Sequence, residues 1–304
     1  MKKPDINLIL YLISLIIMGS HGIVAHFIPL SSIEIVFLRT VIGSLVLIIV
    51  SIAHREKYLC LRDRHDVLFL FLSGLALGAG WIFLFEGYRT AGVSITTVLY
   101  YLGPMIAMLL SPLFFKEKLT KEKILGAIIV FIGVLLLNPK FSGDPSKIYG
   151  LFCGFMSGIL YAVMVLFNKK IKSATGIENT TCQLVSSFFL VTIFLLLTDG
   201  IHIKISGTTW IPVLWIGIIN TGVSCFFYYS TIPKLPISTI AIFSYLDPVS
   251  AVIFSSILLG ERLELLQILG IIFIIGGVAF SQLYPILNIR KNEIKESSVW
   301  KTVS

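Results

Sequence analysis

Asp247 is the residue of this sequence best placed to do chemistry, because it is a carboxylate within an apolar run at 237–259. A charge near the centre of a membrane-spanning helix costs roughly 2.5–3.5 kcal/mol, so this side chain is expected to face the protein interior or water. Pro248 follows and has no backbone N–H, which leaves the carbonyl of Ser244 without its helical partner. A carboxylate beside a free carbonyl suits a substrate ammonium, a sodium ion or a proton. The alternative is a structural carboxylate that bonds only neighbouring helices.

A second group of polar residues is expected near the outer ends of three apolar runs. Arg39 lies about six residues, roughly 9 Å, from the outer end of its run, and Glu86, His21 and His26 are placed similarly. Together they could form an extracellular-side cluster that gates a path or relays protons. Each residue also has a simpler interpretation. Arg39 could extend its charged head to the interface, and Glu86 could lie at the interface beside Arg89.

Pro104 and Pro248 are expected to bend their helices at matching depths. Helix breaks within a membrane are tolerated where the freed carbonyls find a partner or line a cavity. One interpretation is a hinge-like wall of a transport path. The other is a fixed kink that aids packing.

These prolines belong to a stretch that the chain contains twice. Residues 101–134 and 245–278 are related by an offset of 144 residues, and 13 of the 34 positions are identical without a gap. The shared residues include one proline, one glutamate and two glycines in each copy. An apolar composition alone does not align such residues at one offset, so the chain contains an internal duplication.

Glu117 and Glu261 are the repeated glutamates, and each follows the apolar run that holds the repeated proline. They are expected to lie at opposite membrane faces. Thr120 and Glu264 come next and are suited to cap the following helix, since acidic and hydroxyl residues favour helix N-termini. The other interpretation of the repeated glutamates is an ion-pair gate.

The composition is that of an integral membrane protein. Of 304 residues, 56% are apolar and 13% charged, whereas soluble domains carry about 25% charged residues. The net charge of +8 does not indicate nucleic-acid binding, because the basic residues fall between apolar runs and form no basic domain. The four cysteines lack metal-ligand or disulfide spacing. No metal, cofactor or catalytic constellation is predicted.

Ten apolar runs are candidates for membrane spans, since about 20 residues cross the hydrocarbon core. The predicted spans are 6–26, 33–53, 67–88, 93–115, 123–138, 148–168, 179–198, 210–230, 237–259 and 265–284. With both termini in the cytoplasm, 18 Lys and Arg residues lie inside and 5 outside. This bias satisfies the positive-inside rule. The predicted fold class is therefore all-α with ten transmembrane helices.

Five helices in each copy make the two repeats inverted relative to one another. An odd number of spans brings the second copy into the membrane from the opposite side. Inverted repeats are typical of secondary transporters, whose substrate sites lie near the midplane between repeats. The predicted units are a first repeat at 1–144, a second repeat at 145–284 and a cytoplasmic tail at 285–304.

The chain resembles the drug/metabolite transporter superfamily and, within it, the family built from two EamA domains. The motifs that carry this resemblance are Phe-Leu-Arg at 37–39, Leu-Gly-Pro at 102–104 and Leu-Asp-Pro at 246–248, with Lys-Glu-Lys-Leu at 116–119 and Gly-Glu-Arg-Leu at 260–263. The resemblance covers about residues 6–284. It implies transport of small metabolites, without specifying which one.

The resemblance also implies a central cavity between helices 1, 3, 4, 6, 8 and 9. Aromatic residues concentrate on helices 3, 4, 8 and 9, with Tyr161 on helix 6, and a tyrosine-rich cavity binds apolar or zwitterionic solutes. The residues expected to contact substrate are Asp247, Tyr245, Tyr101, Trp81, Tyr161 and His21. The helix-1 motif at 18–22 reads Met-Gly-Ser-His-Gly and departs from the family pattern.

The sequence therefore predicts a plasma-membrane carrier that works by alternating access. The expected substrate is a small organic metabolite, and the resemblance alone implies that it is first an amino acid or related compound and that the direction is export. The partners are that substrate, a coupling proton or ion, and membrane lipid. A channel or a lipid flippase is the alternative function, and an intramembrane enzyme lacks a suitable constellation.

Overall fold

The computed structural model describes most of the two predicted repeats. The described residues are 6–58, 62–115, 120–137, 145–173, 176–198, 207–231 and 246–277, together with 203, 205, 234–235, 243, 279–280 and 284. Tyr245, Glu117 and the tail at 285–304 lie outside them. The predictions made for these positions, and for the limits of the two repeats, stay predictions.

Within the described residues, every regular element is a helix. In chain order they are α1 (Ile6–Gly19), α2 (His21–His26), α3 (Ser32–Ala53), α4 (Arg64–Ala91), α5 (Val93–Tyr100), α6 (Gly103–Phe115), α7 (Lys121–Leu137), α8 (Pro145–Asn168), α9 (Gly176–Thr198), a 3₁₀ turn (Gly207–Thr209), α10 (Trp210–Leu214), a π-helix (Trp215–Val223), α11 (Ser224–Thr231), α12 (Leu246–Leu258) and α13 (Leu265–Gly277).

Seven helical segments are long and apolar enough to cross a membrane. They are Ile6–His26, Ser32–Ala53, Arg64–Ala91, Val93–Phe115, Pro145–Asn168, Gly176–Thr198 and Gly207–Tyr228. Three shorter apolar helices, at Ile124–Gly133, Leu246–Leu258 and Leu265–Gly277, coincide with the other three predicted spans. The predicted all-α membrane class is confirmed, and the number of ten crossings stays a prediction.

Two of the long segments are each divided into two helices. The first segment divides into α1 and α2 at Ser20, whose hydroxyl donates to the carbonyl of Ile17 at 2.7 Å. The fourth divides into α5 and α6 at a turn of Tyr101 and Leu102. Pro104 stands in the first turn of α6, where a missing N–H costs no helical hydrogen bond. Both interruptions place backbone ends inside the helix bundle.

The eighth predicted span contains a nine-residue π-helix that the hydropathy pattern does not reveal. Thr221 donates from its hydroxyl to the carbonyl of Ile216, five residues earlier, at 2.8 Å. The π-helix packs closely on α3, because a Cβ built on Gly217 would lie 2.5 Å from the side chain of Ile42. Segments of π-helix are rare and occur frequently at functional sites.

The repeated glycines form the contact between α7 and α13, the fifth helix of each copy. A Cβ on Gly133 would lie 2.8 Å from the carbonyl oxygen of Gly270, and one on Gly277 would lie 3.0 Å from that of Gly126. Small residues at such crossings let helix backbones approach closely within a membrane. The matching glycines of the two copies therefore pack against each other.

The connections between helices group at two ends of the bundle. At one end, called the Glu261 end, Glu261 lies against Gly92, the residue between α4 and α5. At the other, called the Asp66 end, the buried carboxylate of Asp66 accepts from the backbone N–H groups of Lys172 and Ser173, at 3.1 Å and 2.8 Å. In each of these two pairs, the connections were predicted to lie on the same side of the membrane. Which end faces the cytoplasm stays a prediction.

Candidate functional site

Asp247 lies in the first turn of α12 and is 6% exposed. The hydroxyl of Tyr101 donates a hydrogen bond to one of its carboxylate oxygens. The other oxygen, Oδ1, is buried and has no hydrogen-bond partner among the described residues. An unsatisfied buried carboxylate oxygen is costly. Among the described residues, Asp247 thus has one carboxylate oxygen with a partner and one, Oδ1, without.

The position that matches Asp247 in the first copy is Gly103, and an aromatic ring covers it. A Cβ built on Gly103 would lie only 2.1 Å from Cδ1 of Tyr161. The Tyr161 ring also packs on Tyr100, with centroids 4.8 Å apart, and Tyr100 meets Tyr101 edge to face at 5.5 Å. The absence of a side chain at Gly103 therefore admits a wall of three tyrosines beside the carboxylate.

Arg39 of α3 is the buried cation of this region, with 4% of its surface exposed. Its guanidinium carbon lies 3.9 Å from the ring centroid of Trp81 and 5.2 Å from that of Phe85. Its Nε donates to the hydroxyl of Thr221 at 3.3 Å, and Nη1 has no partner among the described residues. A desolvated cation over aromatic rings gains about 2 kcal/mol. The side chain is therefore held inside the bundle and does not extend to the interface.

His21 connects the Arg39 region to α5. Its ring packs on Phe85, with centroids 6.2 Å apart, and its Nε2 lies 3.0 Å from the hydroxyl of Tyr88. The Tyr88 hydroxyl also accepts from the hydroxyl of Thr97 at 3.3 Å. Tyr100 packs against the apolar cluster that contains Phe85 and Tyr88, and it contacts Tyr101, which bonds Asp247. The two charges therefore flank one aromatic cluster.

Asn220 of the π-helix is a residue that the sequence analysis missed. It is 2% exposed, and its Nδ2 donates to the carbonyl of Ile17 and to the hydroxyl of Ser20, at 2.5 Å and 2.9 Å. Its Oδ1 is buried without a partner among the described residues. It thus adds an acceptor at the α1–α2 interruption. The available signal was an amide near the middle of an apolar run.

Most of the residues predicted to bind substrate lie around the aromatic cluster. The four residues of the predicted outer cluster do not lie together. The residues placed around the aromatic cluster are Asp247, Tyr101, Trp81, Tyr161 and His21. Glu86 instead accepts from the hydroxyl of Ser32 at 2.6 Å and lies 3.7 Å from Arg89, while His26 is exposed.

Pro104 and Pro248 lie in the first turns of α6 and α12, directly after Gly103 and Asp247, and the predicted bends stay predictions. Within the described part of the chain, no three His, Cys, Asp or Glu residues are grouped to hold a metal.

The sequence was next compared with known proteins. Residues 6–138 and, separately, 148–283 match the EamA-like transporter family. The chain belongs to this family. The "Uncharacterized transporter YxxF" of Bacillus subtilis (strain 168) is 28% identical over 284 residues, covering 92% of this chain and 90% of the relative. An "Uncharacterized transporter" of Archaeoglobus fulgidus is 27% identical over 254 residues, covering 82% and 88%.

A solved crystal structure supports the fold. It superposes with a TM-score of 0.65 at 16% sequence identity, covering 91% of this chain and 98% of the other. Membership of the EamA-like family, with several apolar helices, makes the chain a multi-pass membrane protein. It points to transport of a small molecule, not to catalysis.

Proposed function

We propose that the chain is a secondary carrier of the plasma membrane that moves a small organic metabolite by alternating access. In this proposal ten helices form two inverted repeats at 1–144 and 145–284, with both termini and the tail in the cytoplasm. The internal duplication and the family membership support this arrangement. Carriers of this type hold substrate near the midplane, between the repeats.

The proposed substrate class rests on two buried side chains of opposite charge. Each has one polar atom without a hydrogen-bond partner among the described residues. Asp247 offers Oδ1 and Arg39 offers Nη1, each buried and without a hydrogen-bond partner among the described residues. A ligand with an ammonium and a carboxylate would satisfy both, because guanidinium groups bind carboxylates well. We therefore assign an α-amino acid or a close relative as substrate.

The remaining parts of the site support a zwitterionic ligand with an organic side chain. Tyr100, Tyr101 and Tyr161 form a wall beside Asp247, and Trp81 backs Arg39. Aromatic rings contribute apolar contact together with hydrogen-bonding groups at their edges. The proposed direction is export, as the family resemblance implies, and Asp247 is the candidate carrier of a coupling proton or ion.

The proposal is tested by purifying the protein and screening L-amino acids for an increase in melting temperature. Ligands that stabilise the protein are then followed in liposomes by counterflow of the radioactive compound. We expect saturable counterflow for the amino acid. Neither the matching amine without a carboxylate nor the matching hydroxy acid without an ammonium should compete at similar concentrations. Flux that rises linearly with concentration would indicate a channel, and lipid scrambling would indicate a flippase. Either outcome would refute the carrier.

A further inference from the structure

Helices α5 and α12 are linked by hydrogen bonds at two places, at the candidate site and at the Glu261 end. Helix α5 runs from Val93 at that end to the site, where Tyr101 follows it, and α12 runs back from Asp247. The two helices are therefore antiparallel neighbours from different repeats. The Tyr101–Asp247 hydrogen bond closes their inner ends. We call this pair of helices the α5–α12 seam.

Glu261 closes the outer end of the seam. Its carboxylate accepts from the backbone N–H groups of Val93 and Ser94, at 2.6 Å and 3.1 Å, and from the Ser94 hydroxyl at 2.6 Å. The hydroxyls of Ser94 and Ser255 lie 2.5 Å apart and are hydrogen-bonded. Glu261 was predicted to end its own helix, with Glu264 capping the next one, and the other interpretation was an ion-pair gate. Glu261 instead caps α5, a helix of the other repeat, 167 residues away in sequence.

A helix cap supplied by another repeat is lost when the two repeats separate. Backbone N–H groups at a helix start have no partner within the helix, so separating α5 from α12 leaves those of Val93 and Ser94 exposed or unpaired. A local cap would move with its helix. Glu261 therefore resists movement of one repeat relative to the other at this end.

We propose that the α5–α12 seam is the gate of the Glu261 end and that Glu261 is its latch. This inference rests on the proposed function, because it assumes that the two repeats move around a site at Asp247. A substrate ammonium at Oδ1 of Asp247 draws on the same negative charge and so weakens the hydrogen bond that Tyr101 donates to the other carboxylate oxygen. Since Tyr101 directly follows the eight-residue helix α5, a shift of Tyr101 is transmitted to the residues that Glu261 holds. Substrate binding and opening of this end are thereby coupled.

The gate is tested by the accessibility of a cysteine placed within the seam. Ser255 is completely buried, so Ser255→Cys should react slowly with a membrane-impermeant maleimide. Adding Glu261→Gln should raise the labelling rate about tenfold, equivalent to about 1.4 kcal/mol. Glu264→Gln is the matched control, because Glu264 is exposed and carries the same charge three residues away. The parent chain with its native cysteines gives the background.

A second variant keeps the test decisive if Glu261→Gln folds poorly. Ser94→Ala removes one hydroxyl from the seam and should raise the Ser255→Cys labelling rate by a smaller factor, while a cooperative melting transition shows that the variant folds. Equal labelling with and without these changes would overturn the gate. If Glu261→Gln raises labelling while no amino acid binds or is transported, the gate stands and the proposed substrate fails. If amino acids are transported but Glu261→Gln has no effect, the gate alone fails.

Discussion

Replacing Asp247 by asparagine removes the negative charge of the site while keeping the shape of the side chain. The amide oxygen of asparagine can still accept from Tyr101, so the existing hydrogen bond is retained. What is lost is a charged partner for a ligand at Oδ1, the oxygen without a partner among the described residues. Hydrogen bonds to charged groups contribute about 1.5–3 kcal/mol. Because about 1.4 kcal/mol is tenfold in affinity, the dissociation constant of an amino acid should rise by about 10-fold to about 150-fold.

The assay is calorimetric titration of the purified protein with the amino acid found by screening, followed by counterflow in liposomes. Asp63→Asn is the control, because Asp63 is exposed at the start of α4 and far along the chain from the site. Melting temperatures should show that Asp247→Asn folds. Equal dissociation constants for Asp247→Asn and the wild type would refute the role of this carboxylate.

Tyr101→Phe tests the same carboxylate, and its expected effect on amino-acid affinity is opposite to that of Asp247→Asn. It removes the hydroxyl that bonds Asp247 and keeps the ring against Tyr100. Because the Tyr101 hydroxyl and the ammonium share the charge of one carboxylate, amino-acid affinity should be retained or increased in Tyr101→Phe. A loss as large as that of Asp247→Asn would instead show that the tyrosine binds the ligand directly.

The other predictions concern the cation, the aromatic wall and the Asp66 end. Arg39→Gln should raise the dissociation constant of the amino acid at least about tenfold, measured by titration, and should not weaken binding of the matching amine, which has no carboxylate. Gly103→Ala should destabilise the protein by about 1–3 kcal/mol through overpacking against Tyr161. Tyr161→Leu in the same chain should restore part of the melting temperature, and additive losses would contradict the contact. Asp66→Asn should lower the melting temperature by several degrees because this carboxylate is buried and hydrogen-bonded, whereas Asp63→Asn should change it little.

Much of the fold was predictable, because hydropathy is a local property of the chain. Each of the ten predicted spans coincides at least in part with an apolar helix among the described residues. A bend was expected at Pro104, and the structure places this proline in the first turn of α6, directly after the turn of Tyr101 and Leu102. The π-helix was not foreseen, because its pairing of Thr221 with Ile216 changes no hydropathy value.

The sequence predicted which residues belong to the site, but it did not predict their hydrogen-bond and packing partners. Asp247 was identifiable because an isolated carboxylate in an apolar run must find an interior environment. Glu86 and His21 looked equivalent, since both are polar residues near a predicted helix end. The structure separates them, because His21 packs on Phe85 while Glu86 bonds Ser32. The direction in which a side chain leaves its helix depends on helix rotation, which hydropathy specifies weakly.

The amino-acid sequence by itself determined the duplication, the membrane-spanning character and the asymmetric charge at Asp247, since each can be recognised along the chain. Only the tertiary structure decided which partners these residues have. Arg39 bonds Thr221 across 182 residues, and Glu261 bonds Ser94 across 167. The physical reason is that such bonds form between helices of different repeats. They depend on how the helices pack, and no local pattern of residues encodes that packing.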